Sequence, residues 1–336
     1  MSDKPMYAQG LRVFVPEGKI GEQVPGIFLE AARIFRDSDE LRYKRGHARL
    51  KYLVAERGWQ WVRDELERRL GYELEHDEEI VNPVGALHTD HMGVGEQADG
   101  LYYVGAAVPR GRITGEQMAA VAELAERFGA EGRGEIRLSQ KQNLLVVNVP
   151  KGNVEALSKE LGGIGLPPGA PRWRESLISC TGAQFCNLAV VETKERAREV
   201  LEHLEREVEI DSPIMVSVTG CPNACAQHQI ADIGLSGIPV MHEGKKVDGF
   251  NILVGGCLGE NPKFGVELVK KVPGRLVQRV IGALVGNYKA NRIVDADGEV
   301  EAFSDFVMRH EAGQLRQWAA IPEWTAGAAK KELRQA

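Results

Sequence analysis

The sequence predicts an α+β chain: a helical opening, a small antiparallel half-domain, and then an α/β unit built around paired cysteines. Three observations carry this. Apolar residues recur at helical spacing in several separate stretches, and short β-branched runs stand between them. Four of the five cysteines fall in two close pairs, C-x5-C at Cys180 and Cys186 and C-x3-C at Cys221 and Cys225, with 34 residues between the pairs.

Residues 1 to 80 read as helical. Pro25-Gly26 leads into an amphipathic helix over Ile27 to Phe35, and two further helical stretches run from Leu50 to Arg57 and from Trp59 to Leu70. Between them lies a basic run, Arg42 to Lys51, which reads either as an ordinary charged helix surface or as a face toward an anionic cofactor or acidic partner. Val24-Pro25-Gly26 and Val272-Pro273-Gly274 each stand before a helical pattern and, later, a tryptophan. This faint self-similarity suggests duplication of a large unit, of which the chain would hold one copy and the tail of another.

The next stretch gives a strand at Leu101 to Val108, a helix at Thr114 to Phe128, a strand pair at Ile136 to Leu138 and Leu144 to Val149, and a helix at Val154 to Leu161. Thr114 with Glu116-Gln117 is set as an N-terminal cap. The pattern is that of an antiparallel half-domain whose sheet needs a second half.

Around the cysteines, Leu177-Ile178 runs into Cys180-Thr181-Gly182, and Ile214 to Val218 runs into Thr219-Gly220-Cys221-Pro222-Asn223. Both read as strands ending in tight turns. Glu192 to Val208 between them has Ala197, Val200, Leu201, Leu204 and Val208 on one face, a buried helix. Strand, helix, strand makes a crossover unit, so both turns lie at one sheet edge. Four thiolates there can hold metal. Zinc sites favour C-x2-C knuckles, whereas iron–sulfur clusters accept wider spacings and often a neighbouring proline, as Pro222 is; zinc and unliganded core thiols stay open as alternatives. Few cysteines, no signal peptide and no apolar run long enough for a bilayer argue against disulfides and for a reducing cytosol, with no membrane partner.

Further on, Asp248 to Gly259 reads as a strand whose Gly255, Gly256 and Gly259 form either an anion-binding nest or a plain tight turn. Cys257 reads as a small buried hydrophobe, and His228 and His242 have no partner at ligand spacing. Leu276 to Tyr288 is a helix, and the last 35 residues are a helical tail fading into polar residues. With 43% apolar residues among 336, the chain can bury a large core in two or three domains, and its net charge of −6 argues against a nucleic-acid partner.

The segments CTGAQFCNLAVVETKERA, from Cys180, and TGCPNACAQHQIADIGLSG, from Thr219, resemble the paired signatures of the ferredoxin-dependent nitrite and sulfite reductases. The resemblance implies a first-repeat tail over residues 1–80, a ferredoxin-like half-domain over 85–166, a sirohaem and 4Fe-4S domain over 172–292 and a helical tail over 293–336, with an N-terminal repeat missing. By position, Cys180, Cys186, Cys221 and Cys225 correspond to the cluster ligands, Cys225 to the thiolate bridging cluster and sirohaem, and Asn223 to a residue lying against the sirohaem. The turn Arg137 to Asn143 matches the family's R-L-x-x-x-Q-N, which makes Arg137, Lys141, Gln142 and Asn143 candidates to hold the carboxylates of sirohaem, against a solvated hairpin turn. The implied activity is six-electron reduction of nitrite to ammonia or sulfite to sulfide in the cytoplasm, with reduced ferredoxin as donor. T-G-A-Q-F-C with E-T-K, and I-A-D-I-G, resemble the nitrite-reducing branch. The family's substrate-holding basic residues have no counterpart here, so no catalytic residue is assigned. Two other readings are a cluster-carrying subunit or fragment that needs a partner chain, and a relative of precorrin-3B synthase.

Overall fold

The computed structural model describes residues 13, 15–75, 91–169, 172–258 and 262–321. The chain separates into two units, Met1–Asn82 and Pro83–Ala336. In the first, α1 (Ile20–Asp37) and α2 (Leu50–Leu70) bury Ile34, Leu53, Val62 and Leu66 with Leu41 and Leu74. Gly58 leaves helical geometry at φ 84° and ψ 157°, which breaks α2 between the two helical stretches expected there. Arg42, at the head of the basic run, donates to the carbonyls of Phe35 at 3.0 Å and Arg36 at 2.9 Å, capping the negative end of α1. The expected repeat of Val-Pro-Gly is not repeated in structure. Pro25 lies inside α1, where it has no N–H for the preceding turn, whereas Pro273 ends a strand ahead of the last long helix.

The second unit opens with β1 (Gly93–Glu96), β2 (Tyr102–Ala106), α3 (Gly115–Phe128), β3 (Glu135–Leu138), β4 (Leu144–Val149) and α4 (Val154–Gly163). Its antiparallel sheet runs β1-β2-β4-β3. Thr114 forms the expected capping box: its hydroxyl accepts from Gln117 N at 3.2 Å, and its own N–H donates to the Gln117 side chain at 3.0 Å. Val121, Leu124, Leu157 and Leu161 pack from the helices onto Val104, Leu144 and Val146.

There follow α5 (Arg172–Ser176), β5 (Leu177–Ser179), α6 (Lys194–Glu207), β6 (Val216–Thr219), β7 (Ile233–His242), β8 (Lys245–Val254), β9 (Val266–Pro273), α7 (Val277–Asn291), α8 (Phe303–Met308) and α9 (Ala312–Trp318). The sheet order is β5-β6-β7-β8-β9, parallel for the first three strands and antiparallel thereafter. Helix α6 is the crossover from β5 to β6. It buries Ala197, Val200, Leu201 and Leu204 in one core with Val280, Ile281 and Leu284 of α7, at ~1.5–3 kcal/mol for each large side chain taken from water. Tyr288 sits at the bottom, edge-on to Phe303 and Phe306 at 5.3 and 5.2 Å, with its hydroxyl donating to Glu301 O. The tail is helical through α9, and the polar stretch beyond it lies outside the described residues.

Candidate metal centre

Strands β5 and β6 end side by side. Cys180 is the first residue past β5, its N–H donating to Val218 O at 3.0 Å, and Cys221 is the second past β6. Val190 N donates to Gly220 O at 2.9 Å, and Gly220 N to Cys180 Sγ at 3.2 Å, so the two turns are tied together. Gly182 holds φ +75°, and a Cβ there would lie 2.5 Å from Thr193 Oγ1; only glycine fits. Ala224 and Gln227 take left-handed φ of 58° and 57° on either side of Cys225. Such conformations in side-chain-bearing residues are strained and gather at functional loops. Burial, then the fields of Cys180, Cys221 and Cys186, push the Cys225 thiol up: the four sulfurs share one neighbourhood. Cys221 is buried, Cys180 and Cys186 are half-buried, and Cys225 is exposed. Among the described residues no group of three or more His, Cys, Asp or Glu makes a ready-made cage for a metal ion, so the sulfurs are neighbours rather than a closed cage.

The surroundings fit an iron–sulfur group. Ser179 Oγ, Thr219 Oγ1 and His228 Nδ1 are buried with no protein partner, and each lies within three residues of a cysteine of the quartet. An unmet buried polar atom costs ~1–3 kcal/mol, and sulfide or thiolate acceptors would meet the two hydroxyls. Burial pushes the His228 imidazole down to about 4, so it is neutral. On the Cys186 loop, Phe185 and Leu188 stand 73% and 66% exposed, and the Arg112 guanidinium lies 5.5 Å from the centre of the Phe185 ring.

The E-T-K word explains itself in three dimensions. Glu192 accepts from Lys194 N at 2.8 Å and from Gln184 N, inside the cysteine loop, at 3.3 Å, while its own N–H donates to Asp248 at 3.0 Å. Thr193 Oγ1 donates to Cys180 O at 2.7 Å. Lys194 is buried and bonds toward the half-domain.

The turn candidates part company. Gln142, at φ 66°, turns its amide to the Ser179 carbonyl at 2.8 Å and to Lys194 Nζ at 3.2 Å; Asn143 is buried, its Oδ1 accepting from Val108 N at 2.9 Å. Both amides therefore hold protein to protein. Arg137 is exposed and pairs with Glu135 at 2.8 Å. The field of Lys141 reaches Asp232, a buried carboxyl that burial lifts to about 7 despite a hydrogen bond from Met215 N at 2.8 Å. Asn223 is half-buried on the loop between Cys221 and Cys225. The anion nest is overturned at Gly255, whose N–H donates to Asp232 O at 2.9 Å, and Gly259 lies outside the described residues. Cys257 is half-buried rather than a core residue, and its backbone pairs with that of Lys263. Lys194 bonds the carbonyl just ahead of Cys180, a contact the sequence did not reveal although the residue stands in the quoted E-T-K.

Residues 94–164 match the family model of the nitrite/sulfite reductase ferredoxin-like half domain, and residues 174–318 that of the nitrite and sulphite reductase 4Fe-4S domain. The curated "Sulfite reductase (ferredoxin) 1" of Mycolicibacterium paratuberculosis is 34% identical over 326 residues, 94% of this chain and 56% of that protein. The "Assimilatory ferredoxin-dependent nitrite reductase" of Haloferax mediterranei is 34% identical over 304 residues, 87% of this chain and 51% of that protein. Among solved structures, the Mycobacterium tuberculosis NirA protein superposes with a TM-score of 0.82 at 34% identity, covering 94% of this chain and 56% of that one. The chain thus spans about half the length of the curated relatives it matches. With both family models matched in order along one chain, and with the cysteine turns lying inside the second of them, the chain belongs to the nitrite and sulfite reductase family.

Proposed function

We propose that the chain carries a 4Fe-4S cluster on Cys180, Cys186, Cys221 and Cys225 and a sirohaem beside Cys225, and acts in the six-electron reduction of nitrite to ammonia or sulfite to sulfide with ferredoxin as donor. The observation that carries this is the meeting of two cysteine turns at the ends of adjacent parallel strands, with all three other cysteines acting on Cys225. When bound, the cluster and sirohaem would supply the one-electron steps and the iron that receives the oxyanion. The protein's own part is to hold sulfurs and to offer polar contacts from Ser179 and Thr219. In this reading Arg137, Lys141 and Asn223 face the macrocycle, while Gln142 and Asn143 hold protein to protein behind them. In this reading residues 85–166 are the half-domain, 172–292 the cofactor domain, 293–336 its tail and 1–80 the end of a preceding repeat, in a cytoplasmic protein; no helix among the described residues is long and apolar enough to cross a membrane.

A second reading, a cluster-carrying subunit completed by a partner chain, is favoured by the half-domain sheet. It ends at β3, where Glu135, Arg137 and Leu138 are exposed, an open edge of the kind a second half-sheet would cover. Anaerobic purification followed by absorption, electron paramagnetic resonance and turnover with reduced ferredoxin tests both. Coupled haem and cluster signals with nitrite or sulfite turnover support the first reading, and a cluster without haem supports the second. Iron-free protein with zinc defeats both.

A further inference from the structure

We infer that Lys194 is a built-in counter-cation to the cysteine-bound cluster: a positioning residue that pins the half-domain to the cluster strand and raises the reduction potential of the bound cluster. The inference rests on the cluster reading above and assigns a role to a residue that reading leaves unused.

Lys194 opens α6 and is only 6% exposed. Its ammonium donates to Arg110 O at 2.6 Å, Ser179 O at 3.0 Å and Gln142 Oε1 at 3.2 Å. Two of these acceptors belong to the half-domain, and the third is the carbonyl just ahead of Cys180. All three are neutral oxygens. A buried ammonium whose contacts contain no anion is expensive to keep unless a negative charge stands close by. Among the described residues no carboxylate is bonded to it, although the field of Glu192 favours the charged form. Arg110 and Arg112 repel the ammonium, Glu195 is taken up by Arg110 and Arg198, and Glu192 already accepts from three backbone N–H groups of its own loop and helix. Burial, then Arg112, lower the Lys194 pKa to about 8, and Cys180 is the first of the groups that oppose them.

The anion that completes this arrangement is a thiolate-ligated cluster. Four thiolates give such a cluster net negative charge, and one electron from an external one-electron donor adds another, with no bond broken and no proton moved. A fixed cation behind one ligand favours that reduced form. Electrostatics inside the protein act at a larger effective strength than in water, so removing the charge must move the potential downward.

The test uses the full chain purified anaerobically with its cluster, in the Lys194→Gln and Lys194→Arg variants. Cluster content is measured by iron and sulfide analysis, and the midpoint potential by dithionite titration followed by electron paramagnetic resonance. A potential lowered in the Gln variant and retained in the Arg variant is the expected result, and loss of the cluster in Gln with retention in Arg also supports a requirement for charge. A Gln variant that keeps its cluster at the unaltered potential overturns the inference, as does loss of the cluster in both variants. An unaltered chain without any cluster overturns this inference and the cluster reading together, and iron analysis distinguishes that failure from the others.

Discussion

Gly234, on β7, offers a sharp test of how closely the strand supports the second cysteine turn. A Cβ placed there would lie 1.9 Å from the His228 carbonyl oxygen, 2.8 Å from its carbon and 3.2 Å from its Cα. The neighbour is backbone, so Gly234→Ala can be accommodated only by moving residue 228 away by ~1 Å, since non-bonded contacts closer than about 3 Å are repulsive. Overpacking of this kind costs ~1–3 kcal/mol. At ~2–4 °C per kcal/mol for a domain of this size, the expected fall in melting temperature is ~2–12 °C. The displacement also travels to Cys225, three residues earlier, along a loop already strained at Ala224 and Gln227. Iron content after anaerobic purification should therefore fall with the melting temperature, both read against Gly286→Ala. Gly286 is exposed in α7 with nothing within 4 Å of its Cβ, and alanine there should stabilise by ~0.5–1 kcal/mol. A Gly234→Ala protein with unaltered melting temperature and iron content would refute the close approach.

Cys225→Ser should lose iron while Cys257→Ser keeps it, measured by the same iron and sulfide analysis; equal loss in both would break the four-cysteine assignment. Asp232 has a folded pKa raised by burial from 3.8 to about 7, so its neutral form is favoured in the fold: the stability it confers is full below its unfolded pKa and is lost as pH rises through about 7. Asp232→Asn should accordingly flatten the decline in urea stability between about pH 4 and pH 7, and identical slopes for the two proteins would contradict that assignment. Thr114→Ala removes the hydroxyl half of the α3 capping box and should cost ~1 kcal/mol, read as a lower denaturation midpoint with an unchanged m-value.

What the sequence made legible was what local chemistry determines. The stripe from Ala197 to Leu204 marked α6, Thr114 marked the start of α3, and the residues leading into Cys180 and Cys221 marked the ends of two strands. Strand β7 escaped because Gly234, Gly237 and Pro239 interrupt its pattern. Those glycines are required by tertiary contact: a Cβ at Gly237 would stand 2.9 Å from the backbone of Gly220. Lys194 was hidden in a helix crowded with charge, where the distant carbonyls of Arg110 and Ser179 and the amide of Gln142 set it apart from its neighbours. Gln142 and Asn143 were ambiguous for a related reason, since an amide that can bind a carboxylate can equally well join one turn to another. The two Val-Pro-Gly triplets misled because three residues do not determine whether a proline starts a helix or sits within one.

The passage from β6 to β7 connects two parallel strands without a helix, and the first cysteine turn leans on it through the Val190 to Gly220 bond. An inorganic cluster spanning the two would act there as a rivet through otherwise irregular chain. Air exposure and protease attack then become two views of one weakness: oxidising the iron away would open both turns at one end of the sheet, while the packed floor of α6 and α7 kept the rest folded.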